Sequence, residues 1–536
     1  MKSAEVKNLV ATGENASVEF KRAKGGVPAD FWASYAAFAN TDGGTIILGV
    51  REKDDGSRVI EGLSDAEKII ADLWNAANNP DKVSANVLFN ESVYAVKVGG
   101  KSVVVVEVPR AERTARPVYV GADVFKGAYR RNGEGDYHCS RETVEGMIRD
   151  KCAETADNCV IGEMTIDGLD EGTIRRYRIL FSQLRPGHVW STLANDAFLM
   201  KIGAAVRGHD GAIHPTLAGL VCFGDFNEIT NVLPYFFLDY REHLTADVRW
   251  TDRVCSGDAT WSGNVFDFFF RINQPITSGV RVPFRIGTDN VTRENDTSVH
   301  KALREVLANA LIHADYHGRR GIVIDKYPRR LEVSNPGTLR MSKSVAIAGG
   351  TSDARNGKIF NIFSLVHIGE RSGMGLSSLY GVWEREKFVM PTLEESYEPD
   401  RLKVTVECEF DVEDVKKMRK EVGVMAAEEG VRGAEVREKS AEVREKNAEV
   451  REKAPEVKEK TDFDILMGAY RLDFQKSSHR IFDEICKDPY LDTLGLTQML
   501  GVSEATIWRS IRAMKAVGLL VREGGDKGGR WIVKGV

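Results

Sequence analysis

The stretch Lys301-Ala-Leu-Arg-Glu-Val-Leu-Ala-Asn-Ala-Leu-Ile-His-Ala-Asp-Tyr316 decides how the rest of the chain is interpreted. Its apolar residues recur at helical spacing and form one stripe, which predicts a helix packed against a core. The opposite face carries Glu305, Asn309 and His313, which stand four residues apart and therefore project in one column. A solvated face more often alternates lysine and glutamate. A carboxylate, an amide and an imidazole in line therefore indicate a site.

The residues after this helix predict a small sheet and a glycine loop. Residues 321–327 and 331–334 have the composition of paired strands, and the second strand ends at Asn335-Pro-Gly337. Farther along, Gly369-Glu-Arg-Ser-Gly-Met-Gly375 places glycines in front of a predicted helix. Glycine backbone N–H groups and a helix N-terminus both favour anions, so this segment predicts a phosphate-binding loop.

The order and spacing of these features resemble the GHKL family of ATP-binding domains, with Glu305-x-x-x-Asn309 on the helix and the glycine cluster after it. The resemblance implies that Asn309 helps hold a magnesium ion and that Glu305 is the catalytic base that activates water. It also implies that Gly373 and Gly375 lie on the phosphates of ATP. His313 completes the column and is counted with the cofactor-binding residues. The alternative is a degenerate fold whose helix face only satisfies buried polar groups, and hydrolysis of ATP stays open.

The same resemblance places Asn335 and Gly337 among the cofactor-binding residues. Family members usually carry an aspartate that reads the adenine amino group, in an Asp-x-Gly-x-Gly element. This chain has Asn335 at that position and Leu339 in place of the second glycine. An amide oxygen still accepts a hydrogen bond but has no charge, so affinity and base preference stay open.

Composition is that of an ordinary soluble, multidomain protein. The chain has 536 residues, 42% of them hydrophobic and 29% charged, with a formal net charge of −5. There is no global basic excess, so any nucleic-acid surface must be local. The seven cysteines are scattered without a Cys-x-x-Cys pair, which fits a reducing compartment. The first residues lack a signal-peptide pattern and charges interrupt every apolar run, so we expect a cytoplasmic protein without membrane contact.

Four motifs mark residues 1–150: Glu14-x-x-x-x-Glu19-Phe-Lys21, Ala37-Phe-Ala-Asn-Thr-x-Gly43-Gly44, Gly49-Val50 and Tyr129-x-Arg131-x-Gly133. As a set, they resemble the Schlafen AlbA domain, a family carried by many bacterial proteins and by the animal Schlafens. The resemblance implies nucleic-acid binding, in which phosphate contacts dominate affinity and carry little sequence information. The candidate phosphate contacts are Lys21, Arg22, Lys24, Lys126, Arg130 and Arg131. For each of them, an ordinary charged rim is the alternative.

Nuclease members of that family gather a divalent metal with three carboxylates. The resemblance maps these acids onto Glu14, Glu19 and Glu52, the last at a position where the family usually has aspartate. Three acids around a metal would let it polarise a phosphodiester and generate hydroxide, with Lys21 steadying the phosphate. The sequence favours nucleic-acid binding over cleavage, because most prokaryotic relatives are regarded as binders.

Between residues 151 and 300 the patterns predict helices over 171–180 and 192–199, an apolar strand over 215–224, and a helix from Ser262 that packs on the ATP module. After residue 410, Ala-Glu-Val-Arg-Glu-Lys repeats from Ala434 with a period of seven. Alanine and valine two residues apart fall on different helix faces, so a solvated helical spacer is predicted rather than a coiled coil. Weak self-association through the repeated valines would make a homo-oligomer.

The last segment predicts a helix-turn-helix followed by a hairpin. Residues 497–515 give two short helices around Gly501, the second capped by Ser503, and residues 520–522 and 530–533 form the hairpin. This resembles a winged helix, whose second helix enters the DNA major groove and whose wing contacts the backbone. The implied DNA contacts are Arg509, Arg512, Lys515, Lys527 and Arg530. A winged helix used for protein contact is the alternative.

We therefore predict a multidomain α/β (α+β) protein made of five segments. They are a Schlafen AlbA-like domain at 1–150, a connecting α/β region at 151–300, a GHKL-like ATP-binding domain at 301–410, a charged linker at 411–465 and a winged helix at 466–536. The predicted function is a nucleotide-responsive transcriptional regulator that uses ATP and Mg²⁺ and binds DNA rather than RNA. The alternatives are a metal-dependent ribonuclease gated by the ATP module, as in phage defence, and a scaffold that binds only proteins.

Overall fold

A computed structural model describes residues 1–53, 55–246, 248–282, 296–369, 375–413 and 415, together with 481, 484–485, 493–500, 503–504, 507–508, 511, 520–523 and 530–533. The chain divides into two compact units. The first comprises Met1–Gly168, Ile202–Ser364 and Ile368–Val415, and the second comprises Leu169–Lys201, Leu365–His367 and Lys416–Val536. Helices combine with parallel and antiparallel strands, which confirms the predicted mixed α/β multidomain class.

The first unit begins with a four-stranded sheet and the helices that cover it. The elements, in chain order, are α1 (Ser3–Thr12), β1 (Val18–Lys21), α2 (Phe31–Ala39), β2 (Gly44–Leu48), β3 (Val50–Glu52), β4 (Arg58–Ile60), α3 (Ala66–Ala77), β5 (Val93–Val98) and β6 (Lys101–Val108). The strand order is β1-β2-β6-β5, with β1 parallel to β2 and the other pairs antiparallel. Strands β3 and β4 pair as a separate hairpin.

This sheet is buried on both faces because its strands are apolar at successive positions. Ile46 and Leu48 of β2 join a core that includes Phe31 and Phe38 of α2. Ile47, on the opposite face, joins a second core beneath α1. Helix α2 and the central strands β2 and β6 therefore form the scaffold of this region.

A hairpin and a helix follow the sheet. Their elements are α4 (Val124–Gly127), β7 (Tyr129–Asn132), β8 (Gly135–His138) and α5 (Arg141–Lys151). The hairpin turns at Gly133, whose φ of 58° is a conformation that glycine adopts readily. Ser140 caps α5 by accepting a hydrogen bond from the Thr143 N–H, which fixes where the helix begins.

In the middle of the chain, one predicted strand is wrong. The elements are α6 (Glu171–Leu184), α7 (Asn195–Ile202), β9 (Ala205–Arg207), β10 (Ile213–Pro215), α8 (Leu217–Phe223) and α9 (Phe226–Val232). Residues 215–224, expected as a strand, form mainly α8, because the Thr216 hydroxyl caps a helix by accepting from the Gly219 N–H at 3.1 Å. All seven residues of α8 are buried, so the run has no polar face from which a period could be read.

The rest of the first unit is a six-stranded sheet with helices packed against it. The elements are β11 (Leu238–Glu242), β12 (Asp252–Cys255), α10 (Val265–Thr277), α11 (Ser298–His313), β13 (Ile322–Tyr327), β14 (Arg330–Pro336), α12 (Lys343–Ala348), α13 (Gly357–Leu365), α14 (Gly375–Glu386), β15 (Thr392–Tyr397) and β16 (Asp400–Glu407). The strand order is β12-β11-β13-β14-β16-β15, and only the β11–β13 pair is parallel. Helix α11 lies between α10 and α14 and packs on β14.

The described C-terminal residues include a helix and a hairpin. They are α15 (Thr493–Leu500), β17 (Leu520–Glu523) and β18 (Arg530–Val533), and the two strands pair antiparallel. The heptad repeats and the predicted DNA contacts Arg509, Arg512, Lys515 and Lys527 lie outside the described residues, and Arg530 is placed only as a strand residue. In the part of the chain that the structure describes, no helix combines the length and apolarity needed to cross a bilayer.

Candidate functional site

Helix α11 presents its polar column to a cleft of about 110 Å³. The helix is fixed in this orientation because Leu303, Leu307 and Leu311, on its other side, are fully buried. Glu305 and Asn309 are half-buried, and the Asn309 Nδ2 donates to Glu305 Oε1 at 3.4 Å. The structure thus brings the predicted carboxylate and amide together on the wall of one cavity. The lining includes Glu305, Asn309, His313, Asn335, Thr338, Leu339, Arg340, Asp353, Arg355 and Gly375.

Gly375, the first residue of α14, packs directly against the side chains of Glu305 and Asn309. A Cβ placed on Gly375 would lie 2.4 Å from Asn309 Nδ2 and 2.9 Å from Glu305 Oε1, closer than real side-chain contacts allow. The glycine therefore lets the start of α14 approach the polar pair, as the phosphate-loop prediction requires. Gly373 lies outside the described residues.

His313 also lines the cleft, one turn beyond Asn309. Burial, together with the positive charges of Arg355 and Arg340, lowers the pKa of His313 to about 4. The imidazole is therefore neutral near pH 7. It can offer hydrogen bonds to a ligand but no positive charge.

Asn335 and Gly337 lie on either side of Pro336, the last residue of β14, but they face different cavities. Asn335 is 3% exposed and lines the cleft, and its Nδ2 donates to the Pro336 carbonyl at 3.2 Å. Its side-chain oxygen is the atom suited to accept from a ligand. Gly337 has a φ of 93°, and a Cβ there would lie 2.2 Å from Arg355 Nη1. Gly337 therefore lines a neighbouring cavity instead of the cleft, together with Arg113, Arg116, Arg130 and Arg355. The absence of a side chain at Gly337 allows the close packing on Arg355.

Three arginines that the sequence reasoning missed reach the cleft wall from the loop after β6. Arg110 donates to the Leu339 carbonyl at 2.8 Å and pairs with the buried Glu395 at 2.6 Å. Arg113 donates to Asp353 at 2.5 Å, and Arg116 donates to the Leu339 carbonyl at 3.3 Å. The only local signal was an arginine at every third position between β6 and Pro117.

A second link joins the same cleft wall to α5. Arg355 forms two hydrogen bonds with Asp150, at 2.9 and 2.8 Å, and also donates to the carbonyls of His313 and Thr338. Burial alone would raise the pKa of Asp150, but the charge and hydrogen bonds of Arg355 outweigh it and lower that pKa. Both residues are thus charged and paired across the two parts of the first unit. We call the contacts of Arg110, Arg113, Arg116 and Arg355 the arginine junction.

The three acids predicted to hold a catalytic metal are engaged elsewhere. Glu19 is 7% exposed and pairs with Lys21 at 2.8 Å and with Arg131 at 2.9 Å. Glu14 accepts from the Phe20 N–H at 2.9 Å, and Glu52 pairs with Arg58 at 3.3 Å. Within the described ranges, no three histidine, cysteine or acidic side chains are grouped closely enough to hold a metal ion. Glu19 is therefore neutralised by two cations in this arrangement.

The predicted phosphate contacts divide into buried and exposed groups. Arg131 is 3% exposed, and besides Glu19 it pairs with Asp136 and donates to the carbonyls of Asn15 and Val18. It therefore holds the domain together and is not presented to a ligand. Lys21 and Arg130 are likewise paired inside, with Glu19 and Asp400 respectively. Arg22, Lys24 and Lys126 are on the surface.

Comparison with known families agrees with this arrangement. Residues 14–140 match the family described as Schlafen, AlbA_2, and residues 319–406 match the family described as "Putative ATP-dependent DNA helicase recG C-terminal". The second match spans β13 to β16 and therefore the sheet side of the cleft, while α11 precedes it. A domain of unknown function, DUF8451, matches residues 145–239. These matches, with the cleft, define an ATPase-like module and an AlbA_2 domain in one chain.

The chain thus contains a Schlafen AlbA-type domain and an ATPase-like module, so these two of the three resemblances are confirmed. Among solved structures, the DIP2311 protein from Corynebacterium diphtheriae matches this chain with 16% sequence identity and a TM-score of 0.38. The match covers 99% of this chain and 96% of that one. The N-terminal domain of a RecG-related protein from Nitrosomonas europaea is 32% identical, covering 26% of this chain and 94% of that one, with a TM-score of 0.21. Both TM-scores are too low to support a structural argument. No curated protein matches the chain.

Proposed function

We propose that this protein is a nucleotide-responsive transcriptional regulator that binds ATP with Mg²⁺ and binds DNA. The observation that carries the proposal is the contact between Asn309, Glu305 and the start of α14 at Gly375. The space that a Cβ would occupy at Gly375 is taken by the amide of Asn309. This close approach supports a site where the backbone binds phosphate and the side chain binds the metal ion.

The residues of the cleft fit a magnesium nucleotide. Oxygen donors are the ligands that Mg²⁺ prefers, and it commonly takes one or two from the protein and others from phosphates. Asn309 would hold the ion and Glu305 would act as the base toward water. Asn335 would accept from the base, and the neutral His313 would add a hydrogen bond. When bound, the ion would neutralise charge on the phosphates, and turnover would then depend on Glu305.

The arginine junction offers a route from the cleft to the AlbA domain. Arg110 and Arg116 hold the carbonyl of Leu339, and Arg113 holds Asp353. Leu339 and Asp353 both line the cleft. A nucleotide that contacts Leu339 or Asp353 changes the preferred geometry of the cleft wall, to which arginines of the AlbA domain are hydrogen-bonded. Regulation requires that the nucleotide favour one arrangement over another.

Three features support nucleic acid as the partner. The AlbA_2 match and the helicase named in the second family description both concern proteins of nucleic-acid metabolism. The exposed Arg22, Lys24 and Lys126 can supply backbone contacts. A C-terminal winged helix, whose second helix would carry Arg509, Arg512 and Lys515 into the major groove, would supply DNA recognition. In this proposal, the antiparallel β17–β18 hairpin forms its wing.

The proposal is tested by measuring the affinity of the full chain for labelled duplex DNA with and without a non-hydrolysable ATP analogue and Mg²⁺. We expect the analogue to change the affinity of the parent by about fivefold or more. Asn309→Ala should remove the change without altering the affinity measured in the absence of nucleotide. Arg113→Met should reduce it while preserving nucleotide binding. Equal DNA affinities with and without nucleotide in the parent would refute the regulatory part.

A metal-dependent ribonuclease is the second candidate function. It is favoured by the mutual influence of Glu14, Glu19 and Glu52, since the negative charges of Glu19 and Glu52 add to burial in raising the pKa of Glu14. Cleavage would require Glu19 to exchange its lysine and arginine partners for a metal. RNA cleavage by the parent that disappears in Glu14→Ala, with RNA binding retained, would establish this function.

A further inference from the structure

Arg116 is a buried cation with few partners. Arg116 is 3% exposed. Among the described residues, its side chain makes one hydrogen bond, in which Nη2 donates to the Leu339 carbonyl at 3.3 Å. Its Nε is buried without an acceptor, and among the described residues no carboxylate forms an ion pair with it. Burial and the positive charges of Arg110 and Arg130 lower the pKa of Arg116 to about 10, so it remains charged near pH 7. A buried charge without a counter-charge is costly.

Arg401 shows how this fold satisfies another buried arginine without a carboxylate. It is 9% exposed, and burial lowers its pKa to about 10 as well. Its guanidinium donates to Ser334 Oγ at 3.0 Å, to the Ser334 carbonyl at 3.1 Å, and to the carbonyls of Arg319 and Gly321 at 3.2 and 3.0 Å. Four protein acceptors surround Arg401, whereas Arg116 has one. Burial does not explain this difference in the number of acceptors. Arg116 therefore lacks hydrogen-bond acceptors that Arg401 finds within the protein.

A cavity lies where the missing partner would be. Arg116 lines it with Arg113, Arg130 and Arg355, and its volume of about 10 Å³ corresponds to one water-sized sphere. The three acids on its wall are already paired: Asp150 with Arg355 at 2.8 Å, Asp315 with Arg149 at 3.1 Å, and Asp400 with Arg130. Among the described residues, Arg116 is therefore the one arginine of this cavity without a directly paired carboxylate, although the charges of Asp150 and Glu395 favour its charged form.

We propose that this cavity of the arginine junction is a binding site for a small monovalent inorganic anion of halide size, with chloride as the ligand and Arg116 as its principal partner. A halide accepts hydrogen bonds from several directions. One ion can therefore accept from the Nε–H of Arg116 and from a second N–H group of the same guanidinium. A water molecule is smaller than chloride and neutral, so it would leave this charge without a counter-ion. The site shares Thr338 and Arg355 with the nucleotide cleft and excludes Glu305 and Asn309, so it is separate from the magnesium position.

The direct test is crystallographic and uses the parent protein. Crystals of the full chain grown or soaked in sodium bromide are measured at the bromine absorption edge, where bromide gives an anomalous signal. We expect a peak within hydrogen-bond distance of the Arg116 guanidinium and none at Arg401. An empty or water-filled cavity at saturating bromide, without an anomalous peak, would overturn the proposal.

A second test measures the effect in solution. The melting temperature of the full chain is compared in sodium chloride and sodium gluconate at equal ionic strength, since a ligand that binds the folded state raises it by mass action. We expect a saturable rise of a few degrees with chloride for the parent and for Arg401→Met, and no rise for Arg116→Met. If Arg116→Met keeps the chloride-dependent rise, the anion binds elsewhere and the assignment to Arg116 is wrong. The bromide map decides the question if that variant does not fold.

Discussion

Two glycines of α14 differ in what surrounds them. Gly375 faces the amide of Asn309 and the carboxylate of Glu305, whereas a Cβ on Gly381, six residues later in the same helix, would meet no atom within 4 Å. The sequence singles out Gly375 through the glycine cluster before α14, but what each glycine faces across the cleft follows from how α11 and α14 pack together.

Gly375→Ala should impair nucleotide binding, because the new methyl group must displace the Asn309 side chain. We expect the affinity for ATP with Mg²⁺ to fall by about tenfold or more, as measured by calorimetric titration. Gly381→Ala is the matched control: it should bind ATP like the parent and raise the free energy of unfolding by about 0.5–1 kcal/mol. Equal ATP affinities for the two variants would contradict the placement of the nucleotide.

His313 makes the stability of the protein depend on pH. Its pKa is about 4 in the folded state, against about 6.5 in an unfolded chain. Between these values the unfolded state binds a proton that the folded state does not, so stability contributed by the neutral imidazole is lost as pH falls from about 6.5 to about 4. His313→Gln should flatten the decline in melting temperature between pH 7 and pH 5. The control His209→Gln, at an exposed histidine between β9 and β10, should leave the decline unchanged, and an unchanged slope in His313→Gln would refute the assignment.

At the scale of single elements, amphipathic patterns predicted structure well and uniformly apolar ones did not. Helix α11 was predictable because its buried leucines and its polar column lie on different faces. Helix α8 was predicted as a strand because all of its residues are buried, and its identity depends on the cap by Thr216 and on Gly219 packing against the backbone of Ala204. Periodicity carries no information where every face is covered.

The start of α13 depends on a residue about 200 positions away in sequence. Asp157 is 1% exposed, and its carboxylate accepts from the backbone N–H groups of Lys358 and Ile359 at 2.7 and 2.8 Å. These are donors that a helix cannot satisfy internally. Asp157→Ala should therefore lower the free energy of unfolding by about 1–3 kcal/mol, measured by urea denaturation. The control Asp167→Ala, at an exposed aspartate, should change it by less than about 0.5 kcal/mol.

At the scale of the whole molecule, the sequence identified the AlbA and ATPase-like parts but not the arginine junction between them. Arg110 and Glu395 are 285 residues apart, and Arg355 and Asp150 are 205 apart. No local pattern encodes such pairs, and arginine is common on ordinary surfaces. The same limit explains why Arg130 and Arg131 were predicted as phosphate contacts although they are buried and paired.

The pair of Arg110 and Glu395 should be far more important for stability than a surface pair. Arg110→Met leaves the fully buried Glu395 carboxylate without its cation, which should cost about 3–5 kcal/mol. The double variant Arg110→Met/Glu395→Gln should recover part of that loss. Arg22→Met, which removes the surface pair with Glu61, should cost less than about 1 kcal/mol. Thermal denaturation of the four proteins compares them, and equal effects of Arg110→Met and Arg22→Met would show that the junction does not stabilise the fold.

The central claim is that the cleft beside α11 binds a magnesium nucleotide through Asn309. Its most direct measurement is a titration of the purified full chain with labelled ATP and Mg²⁺, comparing the parent, Asn309→Ala and the control Asn75→Ala on the exposed side of α3. The account predicts saturable binding by the parent and by Asn75→Ala, and affinity weaker by about tenfold or more for Asn309→Ala. Equal binding by the parent and Asn309→Ala, or no binding by the parent, would contradict it.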